Sequence, residues 1–228
     1  MDDQHPLPVT LIGLCGLPSA GQSTAASILA KDFAIRSVTM SGAARSVLLT
    51  VDPLVGQATP LSRVVGDLGW ESALEHRVYG AEITGLLQRL RAAVTATVGE
   101  AAWMHALEVD VRRGHDEGDP PLVCVEGVSS DAEAVWIREH GGQVWLIDRP
   151  AAHREGSVPP VSQSLCDHVV PNGGTRTDLH GELAGPVTAL LEEYRRARSR
   201  VAETDLDPLA AEQLLGADDP PHHEDEMK

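Results

Sequence analysis

A run near the N-terminus has the residue types and the spacing of a phosphate-binding loop. Gly16-Leu17-Pro18-Ser19-Ala20-Gly21-Gln22-Ser23-Thr24 matches G-x-x-x-x-G-K-[ST], except that Gln22 stands where the lysine belongs. In such a loop, backbone N–H groups and the N-terminus of the following helix hold phosphate oxygens, while a hydroxyl group holds magnesium. The spacing therefore predicts ATP and Mg2+ as cofactors. The predicted contacts are Gly16, Ser19, Ala20, Gly21, Gln22, Ser23 and Thr24.

The glutamine in this run changes the chemistry that the loop can support. Gln22 keeps a hydrogen-bond donor but has no charge, so it can touch a phosphate without offsetting the charge of a transferred group. Losing one charged transition-state contact costs about 3–4 kcal/mol, or roughly 100- to 1000-fold in rate. Gln22 is thus a catalytic candidate in a weakened site, and Ser23 is the metal candidate. The alternative is a tight strand-to-helix turn whose glycines serve steric needs.

The segments around the loop have the order that this motif requires. Residues 9–15 form an apolar run typical of a strand buried on both faces, and residues 23–33 predict a helix. Further strands are predicted at 38–40, 122–125, 144–147 and 169–170. Further helices are predicted at 42–50, 81–98, 100–113, 130–141 and 183–194, and residues 55–69 are expected to be loop-like. The alternation of strands and helices predicts a parallel sheet wrapped by helices.

Length and composition limit the domain organisation. The chain has 228 residues, enough for one substantial core, and we expect one domain over residues 1–200 followed by an acidic tail over 201–228. The final segment, GADDPPHHEDEMK, is polar, charged and proline-containing, so disorder is expected there. Metal binding by His222-His223 is the less favoured interpretation of that segment.

Charge and cysteine content exclude several classes of partner and location. The formal net charge of -16 opposes binding to DNA, RNA or an anionic membrane surface, although a local loop can still bind a small nucleotide. Three cysteines cannot all pair, and two of them lie in apolar runs, which favours a reducing environment. The acidic, proline-broken N-terminus does not resemble a secretory signal, and no run reaches membrane-spanning length. A cytoplasmic location is therefore expected.

Three residues outside the loop are candidates by position and type. Glu126 ends an apolar strand at the edge where parallel sheets bind ligands, so its carboxylate could orient magnesium or a nucleophile. It could equally be an ordinary acidic residue at a strand end. Gln88 and Trp103 could line a base pocket through an amide and a stacking surface, and core packing is an equal alternative for Trp103.

Several segments together resemble the deoxynucleoside monophosphate kinases encoded by bacteriophages, across roughly residues 9–191. The loop and its helix, LIGLCGLPSAGQSTAASILA, are similar to the family's phosphate loop, which usually has G-K-[DS]-T where this chain has GQST. Leu87-Gln88-Arg89-Leu90 matches the start of the family's L-Q-x-L-G-T-E-x-G-R helix. Residues 122–134 with 142–150 are similar to the segment around D-V-R-F-x-N-E. Residues 167–175 are similar to A-D-x-V-I-x-N-D-G-T.

The resemblance implies a three-layer α/β fold of the P-loop kinase type, with a parallel sheet flanked by helices. It implies a deoxynucleoside monophosphate as substrate, with Gln88, Arg89 and Trp103 on the substrate side. It also implies that Arg149 and Arg154 follow a strand and act as a lid over phosphates, which makes Arg154 a catalytic candidate. The chain departs from the family at charged positions, because the family's glutamate and arginine in G-T-E-x-G-R are replaced by Ala93 and Ala96.

Three functions remain open on the sequence alone. The first is a nucleotide-binding protein with weakened phosphoryl transfer, acting as a partner or regulator, alone or as a homodimer. The second is an active kinase in which Arg45, Arg89, Arg91 or Arg154 replaces the missing charges. The third is an interaction module that retains only the scaffold.

Overall fold

The computed structural model describes residues 7–118, 120–154 and 156–215, with residues 197–215 described by their backbone only. The strands are β1 Thr10–Cys15, β2 Arg36–Thr39, β3 Leu54–Val55, β4 Thr59–Pro60, β5 Leu122–Glu126, β6 Gln143–Asp148 and β7 His168–Pro171. The helices are α1 Gln22–Asp32, α2 Gly42–Val51, α3 Leu61–Leu68, α4 Trp70–Glu75, α5 Gly80–Val98, α6 Ala101–Asp116, α7 Asp131–Glu139 and α8 Arg176–Leu215.

A five-stranded sheet with the order β2-β5-β1-β6-β7 forms the centre of the fold. Every pairing in it is parallel, so all five strands end at the same edge. After β1 the chain moves to β2 on one side of it, and β6 later pairs on the other side. Open parallel sheets bind ligands at such a switch point, beside the carboxyl ends of the strands. The segment after β1 occupies this place.

Alternating side chains of β1 pack against helices on both faces of the sheet. Leu11 and Cys15 belong to a buried cluster that includes Ala134 and Ile137 of α7. Ile12, at the alternate position, is fully buried on the opposite face, where α1 contacts β1, β2 and β5. The result is a three-layer α/β fold in which a parallel sheet is flanked by helices, as the sequence predicts.

Most predicted elements are confirmed, and one prediction is wrong. Residues 55–69 are not a loop: they contain part of the β3–β4 hairpin and all of α3. Leu61 and Val64, three positions apart, are buried there and anchor the helix in spite of the glycines around it. The short helix α4 has no counterpart in the sequence prediction either.

The chain divides into two compact units, residues 1–184 and 185–228. The first contains the sheet, the loop and α1 to α7. In the second, the described part continues the backbone of α8 to Leu215. The segment predicted to be disordered, residues 216–228, lies outside the described residues, and the boundary at residue 200 stays a prediction.

A buried carboxylate fixes the turn after β5 to the start of α7. Ser130 caps α7 by accepting a hydrogen bond from the N–H of Glu133 at 3.2 Å, as the S-x-x-E spacing predicts. The Glu133 side chain, only 2% exposed, accepts the N–H of Ser129 at 2.6 Å and pairs with Arg91 of α5 at 2.9 Å. Arg91 is therefore committed to a structural ion pair.

We predict that Arg91→Ala lowers the free energy of unfolding by about 2–3 kcal/mol, because it leaves the Glu133 carboxylate buried with only its Ser129 donors. Urea unfolding of the purified protein measures this change. Arg89→Ala is the matched control, since Arg89 is exposed on the same helix. Equal destabilisation by the two variants would contradict the assignment of a structural role to the ion pair.

Candidate functional site

The glycine-rich loop joins the central strand to the first helix at the ligand-binding edge of the sheet. It leaves β1 at Cys15 and enters α1 at Gln22, between the ends of β5 and β6. Gly16 has φ +156°, and a Cβ at this position would lie 2.7 Å from the carbonyl oxygen of Ile147. Gly21 has φ +100°, and a Cβ there would collide with the Asn172 amide. Both glycines are therefore required by the loop's path.

Three side chains donate hydrogen bonds to carbonyl groups of this loop. Gln22 Nε2 donates to the carbonyl of Gly16 at 2.8 Å, and Asn172 Nδ2 donates to that of Ala20 at 2.7 Å. Arg149 Nη1 lies 3.4 Å from the carbonyl oxygen of Ser19. We call these three donors the carbonyl clamp. Because these carbonyl oxygens accept hydrogen bonds from the clamp, they do not compete with a bound anion for the N–H groups of the loop.

The N–H groups at the start of α1 have no such partners. The first hydrogen bond of the helix runs from the N–H of Ala25 to the carbonyl of Gly21 at 2.9 Å. The backbone N–H groups of residues 21–24 precede it and have no acceptor among the residues that the structure describes. Ser23 and Thr24 are exposed, so a ligand can reach this turn. Free N–H groups and the positive end of the helix dipole favour an anion here.

A cavity of about 200 Å³ adjoins the loop, and we call it the loop cavity. It brings together three residues predicted from the sequence: Gln22, Ser23 and Glu126. The other residues lining it are Thr39, Ser41, Arg45, Glu71 and Gly127. Hydroxyl groups, two carboxylates and one guanidinium thus meet beside the candidate phosphate site.

Glu126 is held in an environment that disfavours its charge. Burial raises the pKa of its carboxyl group, and a hydrogen bond from Ser37 Oγ to Oε1 at 2.6 Å opposes this rise. The negative charge of Glu71 adds to the increase, whereas Arg45 opposes it. A carboxyl group with a raised pKa at this edge can accept a proton or orient a nucleophile.

Arg45 of α2 is the cationic side chain in the loop cavity. Its Nη1 pairs with Oε1 of Glu71 at 2.9 Å, and its guanidinium carbon lies 5.3 Å from the centre of the Trp70 ring. The side chain is 18% exposed, and its buried Nε has no acceptor among the described residues. Arg45 is thus a well-packed cation whose hydrogen bonding is incomplete.

The other predicted site residues lie apart from the loop cavity. Arg154 is exposed, and its backbone N–H contacts Ser157 Oγ at 3.2 Å. Gln88 and Arg89 are exposed on α5. Trp103 is buried in the helical core, with its indole N–H donating to Thr95 Oγ1 at 3.2 Å. It borders a separate cavity of about 340 Å³ between β2, α2 and α6.

Sequence reasoning missed part of the support for the site. Asn172 and Ser37 have no assigned role in it, and Arg149 was expected as a lid residue rather than a loop contact. Thr39, Asp148 and Pro171 end their strands at the same edge as Glu126. The rule applied to Glu126, that functional residues follow strand ends, would have indicated Ser41, Arg149 and Asn172 as well.

Among the residues that the structure describes, there is neither a metal-binding cluster of side chains nor a helix that could span a membrane. No group of three or more histidine, cysteine, aspartate or glutamate side chains is arranged to hold a metal ion within 7–118, 120–154 and 156–215. Within the same ranges, no helix combines the length and apolar character needed to cross a membrane.

Comparison with known proteins gives a likeness of fold. No protein-family model matches the chain, and no curated protein matches it. Solved structures similar to it include shikimate kinase from Aquifex aeolicus VF5, at 14% identity and TM-score 0.39, covering 80% of this chain and 98% of that one. Dephospho-CoA kinase from Campylobacter jejuni aligns at 12% identity and TM-score 0.42, covering 82% and 98%. A sugar kinase from Janibacter sp. HTCC2649 aligns at 12% identity and TM-score 0.38, covering 77% and 92%.

These values bear on the fold alone. The three neighbours are kinases by name, but at such low identity their substrates say nothing about this chain. The resemblance to phage deoxynucleoside monophosphate kinases therefore has no support from a matched family. Functional inference has to rest on the loop, the clamp and the cavity.

We predict that Glu126→Gln raises the melting temperature at pH 7 and that this gain disappears near pH 4. A raised pKa in the folded state means that the native protein holds a proton that the unfolded chain releases, so stability falls as pH rises from the ordinary pKa of 4.5 through the folded value. Glutamine removes this loss. Thermal unfolding from pH 4 to pH 8 tests it, with exposed Glu139→Gln as control; a pH-independent difference would contradict the account.

Proposed function

We propose that this chain binds a nucleoside triphosphate at its glycine-rich loop and that it is a deoxynucleoside monophosphate kinase-like protein with weakened phosphoryl transfer. The observation that carries the proposal is the division of backbone groups in the loop. Its carbonyls are engaged by Gln22, Arg149 and Asn172, while the N–H groups of residues 21–24 have no acceptor in the part of the chain that the structure describes. Such an arrangement suits a phosphate chain.

The residues present fit ATP and magnesium in specific places. The N–H groups of residues 21–24 would hold phosphate oxygens, and the Ser23 hydroxyl group would hold the metal ion. Bound magnesium would supply charge neutralisation on the phosphates. Glu126, at the end of β5, would hold or accept a proton on the acceptor side of the loop cavity. Arg149, which already contacts the loop, would add positive charge outside it.

Weak transfer follows from what Gln22 does in this fold. Its amide nitrogen is hydrogen-bonded to the Gly16 carbonyl, so it braces the loop. No lysine or arginine occurs in residues 16–24 to offset the charge of the transferred group. The loss of such a contact costs about 3–4 kcal/mol in the transition state.

An active kinase is the second candidate, and the position of Arg45 favours it. Arg45 lines the same cavity as Gln22 and Glu126, so a cation is available beside the loop without coming from it. Arg91 is unsuited to this role because it pairs with Glu133. In an active kinase of this kind, Arg45 contacts the phosphate group of the acceptor. Glu126 orients the oxygen of the acceptor that attacks.

We predict that ATP with magnesium raises the melting temperature of the full-length protein. Saturation at 100 times Kd corresponds to about 2.7 kcal/mol of added stability. Ser23→Ala should reduce the magnesium-dependent part of the shift, while Ser164→Ala, which alters an exposed serine just before the start of β7 and so at the opposite edge of the sheet from the loop, should leave it unchanged. No shift with any of eight ribo- and deoxynucleoside triphosphates would overturn the proposal and favour a scaffold-only interaction protein.

We predict that Gln22→Lys increases phosphoryl transfer from ATP to deoxynucleoside monophosphates by roughly 100- to 1000-fold, because it restores the missing charge at the centre of the loop. Gln163→Lys is the matched control, since it adds the same charge at an exposed site just before the start of β7, at the opposite edge of the sheet. A coupled assay of ADP release measures both variants. A wild-type rate already within about 1–100 per second would refute weakened transfer and establish the second candidate.

A further inference from the structure

The guanidinium group in the loop cavity, that of Arg45, is engaged in an ion pair with Glu71. Arg45 and Glu71 both line this cavity, and their side chains meet at 2.9 Å. We propose that Glu71 is an internal competitor for the phosphate group of a monophosphate acceptor, occupying the Arg45 guanidinium until that phosphate displaces it. This proposal builds on the proposed function, because it assigns an acceptor site next to the nucleotide-binding loop.

The two partners of the pair are held very differently. Arg45 is only 18% exposed and packs on the Trp70 ring. The Glu71 side chain is 68% exposed, so it can swing into solvent without breaking any core contact. An ion pair with such an exposed member contributes little to stability. A phosphate can therefore replace the carboxylate with little loss of stability.

The guanidinium has unused capacity for hydrogen bonding. Among the described residues, the Glu71 carboxylate accepts a hydrogen bond from Nη1 of Arg45, and the buried Nε has no acceptor. A phosphate group presents three oxygens to the fork of an arginine, whereas the present contact uses one carboxylate oxygen. The site is thus better matched to a phosphate than to the carboxylate that occupies it.

The balance of charge in the cavity decides which acceptors can enter. Arg45 faces two carboxylates, Glu71 and Glu126, while the remaining lining residues are uncharged. A neutral acceptor gains nothing by displacing Glu71. A phosphate dianion gains the guanidinium but is repelled by Glu71 as long as that side chain stays. Glu71 therefore weakens binding of every monophosphate and leaves binding of the parent nucleoside unaffected.

Glu71→Gln tests the proposal, with Glu75→Gln as a matched control. Glu75 is exposed on the same short helix, so its substitution makes the same change in net charge. Calorimetric titration of the full-length variants with each of the four deoxynucleoside 5′-monophosphates, and with the four deoxynucleosides, measures affinity. Glu71→Gln should tighten monophosphate binding roughly two- to tenfold and leave nucleoside binding unchanged. Glu75→Gln should change monophosphate affinity by less than about 1.5-fold.

Arg45 variants complete the experiment. Arg45→Met keeps the packing of the stem on Trp70 and should abolish the gain from Glu71→Gln, whereas Arg45→Lys keeps the charge and should retain part of it. If Glu71→Gln has no effect, matches Glu75→Gln, or acts equally in the Arg45→Met background, the proposal is wrong. It is equally wrong if no monophosphate binds to either the wild type or Glu71→Gln.

A parallel titration with ATP and magnesium separates this proposal from the proposed function. ATP binding without an effect of Glu71→Gln on monophosphates refutes the competitor alone. An effect on monophosphates without ATP binding supports an anion site at Arg45 and refutes nucleotide binding at the loop.

Discussion

The candidate site depends on which backbone groups of one short loop have hydrogen-bond partners. Between β1 and α1 the chain must turn sharply, and the turn leaves both carbonyl and N–H groups without helical or sheet partners. The carbonyl clamp takes up the carbonyls of Gly16, Ser19 and Ala20, and the N–H groups of residues 21–24 have no described acceptor. A site for an anion thus exists without a cationic side chain inside it.

The loop differs from the G-x-x-x-x-G-K-[ST] pattern in its charge and not in its glycines. The glycines and the clamp provide a loop of suitable geometry, but the position of the lysine is occupied by an amide that bonds to the loop itself. The nearest cavity contains one guanidinium and two carboxylates. Burial further raises the pKa of Glu126, so this carboxylate is more readily neutral than an exposed one. The charge around the loop is therefore nearly balanced by these carboxylates, and it is not the concentrated positive charge that a lysine in the loop would supply.

The sequence was sufficient for the central strands because buried parallel strands are nearly continuous apolar runs. It also placed Gln22, Ser23 and Glu126 together, since each lies at the end of a strand or the start of a helix. It failed for residues 55–69, where two apolar residues at helical spacing, Leu61 and Val64, outweigh glycine and proline. It could not pair Arg45 with Glu71, because that contact arises from tertiary packing of α2 against α4. The substrate-side role of Gln88 and Arg89, which are exposed on α5, stays a prediction.

Two members of the carbonyl clamp come from far along the chain. Arg149 and Asn172 are separated from their loop partners by 130 and 152 positions. On a ribosome that adds about 5–20 residues per second, the loop is synthesised roughly 8–30 s before Asn172. During that interval the turn lacks the amide that fixes Ala20. The loop of the nascent N-terminal half therefore lacks this support until the last strand of the sheet, β7, has been synthesised.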